Sequence, residues 1–105
     1  SKPFFILSQM KKEGEEFLES KKEVKESLKY ILFYLKEANI TKVNKDNARE
    51  IINKITVKHS IKKGILMKSL RVAFFGCLSG PDLIQSWELF SENKIDIPLI
   101  ERCFN

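Results

Sequence analysis

Apolar residues recur along this chain at helical spacing. Val24, Leu28, Ile31, Leu32 and Leu35 fall at i, i+4, i+7, i+8 and i+11, one face of an α-helix. Tyr30, Phe33 and Tyr34 add a second apolar flank. The stretch from Tyr30 to Leu35 is then apolar around most of the helix, so neighbours are expected to cover it on more than one side. Asn39 is its stop signal. Upstream, Glu13 to Glu19 reads as a short acidic helix, and Pro3-Phe4-Phe5 as an extended lead-in that buries aromatics.

A third helix is expected from about Asn44, with Asp46 well placed for the positive N-terminal dipole and Ala48, Ile51, Ile52 and Ile55 on its inner face. The β-branched run Ile55-Thr56-Val57 weakens the helical reading at its end. The fourth predicted helix runs from about Ile65 to Phe75, where Gly76 can end it in the left-handed conformation. Ser79-Gly80-Pro81-Asp82 reads as the next helix start, with Ser79 or Gly80 as cap and Pro81 where its missing N–H does no harm. Leu83, Ile84, Trp87 and Phe90 give that helix its apolar face. A last short helix spans about Asp96 to Phe104, with Pro98 in its first turn. No convincing alternating strand is present. The expected fold is all-α, a small helical bundle of about five to six helices with short loops.

Composition narrows this further. At 105 residues the chain fits one small domain, residues 1–105, with a modest core and no room for a second catalytic domain. Hydrophobic residues make up 43% and charged residues 31%, which suits a folded soluble chain better than a disordered one. No apolar run approaches the ~20 residues of a membrane helix, so no membrane partner is expected. Cys77 and Cys103 are isolated thiols, which points to a reduced, cytoplasmic-type setting without a disulfide framework or zinc site.

The net charge is +5, and its distribution matters more than its size. Basic and acidic residues are well mixed up to Ser60. From Ile61 to Gly80 come Lys62, Lys63, Lys68 and Arg71 with no acidic residue. A basic stretch beside polar loops suits a polyanion, although a solvated helix face produces the same pattern.

Catalytic chemistry is hard to find. His59 is the only histidine and has no partnered carboxylate or thiol in the pattern. Gly76 and Gly80 match neither a phosphate-binding loop nor a dinucleotide fingerprint. The cluster Glu13, Glu15, Glu16 and Glu19 reads as solvation. Cys77 lies just beyond a helix C-terminus, where the dipole does not favour a thiolate.

One segment is specific. Leu70-Arg71-Val72-Ala73-Phe74-Phe75-Gly76, followed by Gly80-Pro81-Asp82-Leu83, resembles the Leu-Arg-Val-Ala-Leu-Thr-Gly…Gly/Thr-Pro-x-Leu signature near the C-terminus of bacterial glutamyl-tRNA synthetases. Lys63-Gly64 and Met67, Pro3-Phe4-Phe5, and Leu99-Ile100-Glu101-Arg102 resemble flanking family features in the expected order, so the resemblance brackets nearly the whole chain. The wording from Gly80 to Trp87 is most similar to cyanobacterial or plastid members. Two departures stand out: Phe74-Phe75 in place of the commoner Leu-Thr pair, and Leu89-Phe90-Ser91-Glu92 in place of a Leu-Leu-Gly-Lys type run.

The resemblance implies an anticodon-binding domain of a larger glutamate–tRNA ligase, non-catalytic in itself. ATP and magnesium would belong to a separate catalytic domain, since no His-Ile-Gly-His or Lys-Met-Ser-Lys-Ser type motif occurs here. It implies tRNA as partner, with glutamate tRNA first and glutamine tRNA left open, a monomer, and a cytoplasmic or plastid-stromal setting. The arginine of the family motif contacts anticodon bases, and it falls on Arg71. The following loop and helix start fall on Gly80, Pro81 and Leu83. Where some members carry threonine this chain has Gly80, so only backbone contact would remain there. Lys62, Lys63 and Lys68 would attract phosphates nearby. Without the motif, Arg71 would be expected to pair with Asp82 or Glu88, and Leu83, Trp87 and Phe90 to be core residues. A helical module whose basic surface binds an acidic protein partner is the competing reading; it predicts no dependence on anticodon sequence.

Overall fold

The structure, a computed structural model, describes residues 7–105; the Pro3-Phe4-Phe5 lead-in lies outside the described residues. Six α-helices follow in order: α1 Lys12–Ser20, α2 Lys22–Glu37, α3 Lys45–His59, α4 Lys63–Phe75, α5 Leu83–Glu92 and α6 Asp96–Glu101, with a 3₁₀ turn over Arg102–Phe104. No strand occurs among the described residues. The all-α bundle expected from the spacing is what forms.

The bundle is organised around α4, which touches α1, α2, α3, α5 and α6. That explains its weak amphipathicity: Leu66, Ser69, Leu70, Val72, Ala73 and Phe74 are all buried. Ser69 is tolerated inside because its hydroxyl donates to the Ile65 carbonyl at 2.7 Å. The face of α2 read from the sequence is the buried one, with Val24, Leu28, Ile31 and Leu35 at 0–3% exposure, while Leu32, read onto the same face, is half-buried. The second flank behaves differently. Tyr30 and Tyr34 are half-buried and Phe33 is 60% exposed, so the expected cover on that side is missing.

Helix α3 opens on Asn44, whose side chain accepts from the N–H groups of Asp46 and Asn47, both at 2.9 Å. Asn47 returns the bond, accepting from the Asn44 N–H at 2.8 Å, so the cap is reciprocal. The β-branched run does not end the helix. It continues through Thr56 and Val57 to His59 and stops at Ser60, a residue in the left-handed conformation with φ 55°. Ile55 is 1% exposed, and its packing outweighs the small local propensity cost.

The start of α5 also differs from expectation. Neither Ser79 nor Gly80 caps it; Asp82 does, its carboxylate accepting the Gln85 N–H at 2.9 Å. Pro81 therefore lies before the cap rather than in the first turn, and residues 77–81 remain a loop. Aspartate is a strong N-cap and its charge favours the helix dipole, which explains why it takes the role. Helix α6 carries Pro98 in its first turns as expected, but its end tightens to 3₁₀ geometry after Glu101.

The incoming chain is tied to the C-terminal end of α4. Gly76 ends that helix at φ 76°, and its carbonyl accepts the Lys11 N–H at 3.0 Å. The Ser8 hydroxyl donates to the Phe74 carbonyl at 2.8 Å. Arg102 reaches across to the Ser8 backbone carbonyl, and its Nη2 donates to the Ser8 hydroxyl and the Ala73 carbonyl, each at 2.9 Å. Cys103 is buried beside it, and that burial pushes its thiol up to about 11. Below the ordinary value of 9.0 the thiol is neutral in folded and unfolded chains alike. Above it the unfolded chain ionises first, so stability should fall as pH rises from 9.0 to about 11. Urea melts below and within that window should show a steeper loss for the unaltered chain than for Cys103→Ala; equal slopes would remove Cys103 from the account.

Candidate nucleic-acid interface

Arg71 sits one turn before the end of α4, on the side facing the loop into α5. Its Nη1 donates to the Pro81 carbonyl at 3.0 Å and the Gly80 carbonyl at 3.4 Å. It pairs with neither Asp82 nor Glu88. Asp82 is occupied as the α5 cap, and Glu88 accepts the Lys45 N–H at 3.0 Å. Both bonds from Arg71 use Nη1, which leaves Nη2 and Nε for a base edge or a phosphate. The two carbonyls aim the guanidinium without neutralising it.

Gly80 has φ 153°, a conformation side chains rarely adopt, and it packs on the Phe75 ring: a Cβ added there would lie 2.5 Å from a ring carbon. The departure at Phe75 and the glycine at position 80 thus belong together. The ring occupies the space that a side chain at position 80 would need. Phe75 is itself fixed by an edge-to-face contact with Phe90, with ring centroids 6.2 Å apart. Sequence reading missed Phe75 as part of the site; its signal was the loss of both usual residues in one motif.

Pro81 is exposed, whereas Leu83 is 2% exposed. The Leu83 side chain faces the core, so at this position only the backbone N–H can meet a ligand. The Asp82 cap uses the Gln85 N–H, which leaves the first-turn N–H groups of Leu83 and Ile84 as donors. Arg71, Gly80, Pro81 and the Leu83 backbone are therefore gathered at one corner. Trp87 is fully buried, and Phe90 is half-buried against Phe74 and Phe75, as core residues.

The three lysines are exposed but not equivalent. Lys68 precedes Arg71 by one turn and shares its side of α4. Lys62 is the residue before α4 and Lys63 its first, about 12 Å along the axis from Arg71. None of the three forms an ion pair among the described residues. Together they continue the positive charge from the Arg71 corner to the far end of α4.

Cys77 begins the loop. Hydrogen bonding with the backbone and hydroxyl of Ser79 lowers its thiol below the ordinary range, which offsets the unfavourable dipole at the end of α4. Among the described residues no group of three or more His, Cys, Asp or Glu side chains could hold a metal ion, and no helix is long and apolar enough to cross a membrane. The candidate site is thus one arginine, a constrained turn and a few backbone donors, a set of groups whose chemistry suits polar edges and anions.

Residues 2–95 match a family described as an anticodon binding domain. Over 105 residues the chain is 98% identical to a glutamate–tRNA ligase of Prochlorococcus marinus subsp. pastoris, covering 100% of this chain and 22% of that protein. It is 78% identical over 103 residues to the glutamate–tRNA ligase of strain MIT 9515, covering 98% of this chain and 22% of that protein. Against that of strain NATL2A it is 43% identical over 102 residues, covering 97% of this chain and 21% of that protein. The chain spans about a fifth of the length of these relatives.

Proposed function

Since the chain belongs to the anticodon binding domain family, we propose that it reads the anticodon loop of a tRNA as one unit of a glutamate–tRNA ligase. The observation that carries this is the Arg71 guanidinium, held by the Gly80 and Pro81 carbonyls with its second edge unused, beside the open first turn of α5. Sequence-specific reading of RNA works on unstacked single-stranded bases, through planar cations, apolar walls and backbone polar groups. This corner presents all three: Arg71, the exposed Pro81 ring, and the N–H groups of Leu83 and Ile84.

The division of labour follows from the residues. Arg71 donates to a base edge. The Gly80-Pro81 turn sets the depth to which that base enters, because Phe75 fills the space behind Gly80. Lys68, Lys63 and Lys62 hold the backbone phosphates along α4 and contribute attraction without sequence information. Residues 1–105 act as a single recognition unit and carry out no bond-making step. Joining glutamate to tRNA with ATP and magnesium would fall to other parts of the ligase. The substrate in this reading is glutamate tRNA, and the setting is cytoplasmic.

The test is a titration of ¹⁵N-labelled chain with a glutamate anticodon stem-loop at low salt, repeated with altered anticodon bases and with Arg71→Ala. Amide shifts should concentrate around Arg71 and residues 80–84. Arg71→Ala should weaken binding by about 1–3 kcal/mol and level the difference between the two loops. Scattered shifts indifferent to the anticodon, abolished by modest salt, would reduce the site to a generic polyanion patch.

A further inference from the structure

The uncovered flank of α2 faces α3 across a groove that the anticodon corner does not use. Tyr34, Asn53, Lys54, Val57 and Lys58 line an open part of about 440 Å³. It continues into a narrower cleft of about 180 Å³ reached by Tyr30, Phe33 and His59. The aromatic content is organised. Tyr30 and His59 stack with ring centroids 3.6 Å apart and planes 4° from parallel. Phe33 stands 60% exposed and Val57 81% exposed, large apolar groups with nothing over them. The Lys54 ammonium pairs with the Glu50 carboxylate at 2.9 Å and lies 6.0 Å from the Tyr34 ring centre, and both groups favour its charged form.

Two features identify the occupant. Aromatic rings interleaved with lysines match a nucleotide, whose base takes the ring face and whose phosphate takes the ammonium. The helix that lines the groove also leads directly into the basic start of α4. Lys58 and His59 close α3, and Ser60 and Ile61 lead directly to Lys62 and Lys63 at the start of the helix that carries Arg71. Lys58, Lys62, Lys63 and Lys68 thus follow one another along the chain between the groove and Arg71, with no acidic residue between them.

We propose that the α2–α3 groove is a second RNA contact, taking an unpaired nucleotide of the bound tRNA outside the anticodon, with its base against Phe33 and Tyr34 and its phosphate on Lys58, which forms no ion pair among the described residues. Asn53 and Glu37, which also line the groove, offer an amide and an acceptor to the base edge. The contact adds affinity rather than anticodon specificity, because stacking tolerates any base. It rests on the reading that this domain binds tRNA.

The experiment measures binding of the 105-residue chain to two glutamate tRNA transcripts, one natural and one with altered anticodon bases, across a range of salt concentrations. Phe33→Ala should weaken both transcripts equally, by roughly five- to 20-fold. Lys58→Gln should do the same and lower the salt slope by about one. Both positions are exposed, so thermal melts should be unchanged and a loss of fold is separable. Arg71→Ala serves as the contrast, reducing the ratio between transcripts. If the groove variants bind both transcripts like the unaltered chain while Arg71→Ala loses discrimination, the groove proposal is overturned, anticodon reading stands, and the groove is assigned to a protein surface. If the groove variants lose affinity while Arg71→Ala keeps full discrimination, the groove stands and the Arg71 reading fails.

Discussion

Replacing Trp87 with alanine is expected to destabilise the fold by about 3–5 kcal/mol, the range for emptying a buried aromatic site. Trp87 is 0% exposed and packs on Phe74, with ring centroids 5.9 Å apart. It also carries one of the few polar links inside the bundle: its Nε1–H donates to Asp96 at 3.1 Å, joining α5 to the first residue of α6. Asp96 is 5% exposed, so alanine at position 87 leaves both a cavity and a buried carboxyl without that donor. Small domains have roughly 5–15 kcal/mol of total stability, so this one change removes a large share. Trp87→Phe separates the two effects. It keeps most of the ring volume but loses the hydrogen bond and leaves a small cavity, with an expected cost of about 1–2 kcal/mol, well below that of the alanine variant. Urea melts followed by circular dichroism give both values. A loss below about 1 kcal/mol for the alanine variant would mean that α5 is not anchored through Trp87. Because the first turn of α5 borders the Arg71 corner, Trp87→Ala should also broaden the amide signals of residues 80–84.

Local periodicity made much of this fold legible. The spacing of Val24, Leu28, Ile31 and Leu35, and of Ala48, Ile51, Ile52 and Ile55, marks faces that are buried in the bundle, because a helix must hide a continuous stripe whatever lies opposite. Gly76 as the end of α4 was legible for the same local reason. Misreadings occurred where a distant contact decided the outcome. Ile55 holds the end of α3 through its packing, which propensity cannot show. Asp82 outcompeted Ser79 and Gly80 as a cap because the carboxylate reaches the Gln85 N–H, a choice that depends on the path of the loop. The exposure of Phe33 could not be foreseen, since a helix with an all-round apolar run normally is covered. For the candidate site, motif resemblance pointed to Arg71 and the Gly80-Pro81 turn, which the structure brings together through hydrogen bonds. It could not show that Arg71 bonds to the carbonyls of that turn, that Phe75 stands behind Gly80, or that the Leu83 side chain points inward.

Gly76→Ala should be the most damaging single-methyl change in the chain, costing about 2–4 kcal/mol through two separate penalties. The first is local: φ 76° is left-handed, which costs a non-glycine residue about 1 kcal/mol or more. The second is steric. An added Cβ would fall inside the contact distance of the Gln9 carbonyl oxygen and close to the Met10 backbone, where there is no flexible side chain to give way. Relief requires segment 8–11 to lift, which pulls on the Lys11 to Gly76 hydrogen bond, the Ser8 to Phe74 bond and the Arg102 bridge together. Gly76→Asn separates the penalties. Asparagine tolerates left-handed φ better than alanine but adds the same Cβ, so a loss equal to that of Gly76→Ala identifies the clash as the larger of the two. Gly64→Ala is the control, because a Cβ at Gly64 meets nothing within 4 Å and the position is helical. It should raise stability by roughly 0.5–1 kcal/mol. Urea melts of the three variants check this order, and a Gly76→Ala chain as stable as the unaltered one would mean that segment 8–11 is not held against α4. The consequence for recognition is direct. Gly76 opens the loop that places Gly80 and Pro81 against Arg71, so a displaced segment 8–11 moves one wall of the anticodon corner, and stem-loop affinity should fall with stability in Gly76→Ala but not in Gly64→Ala.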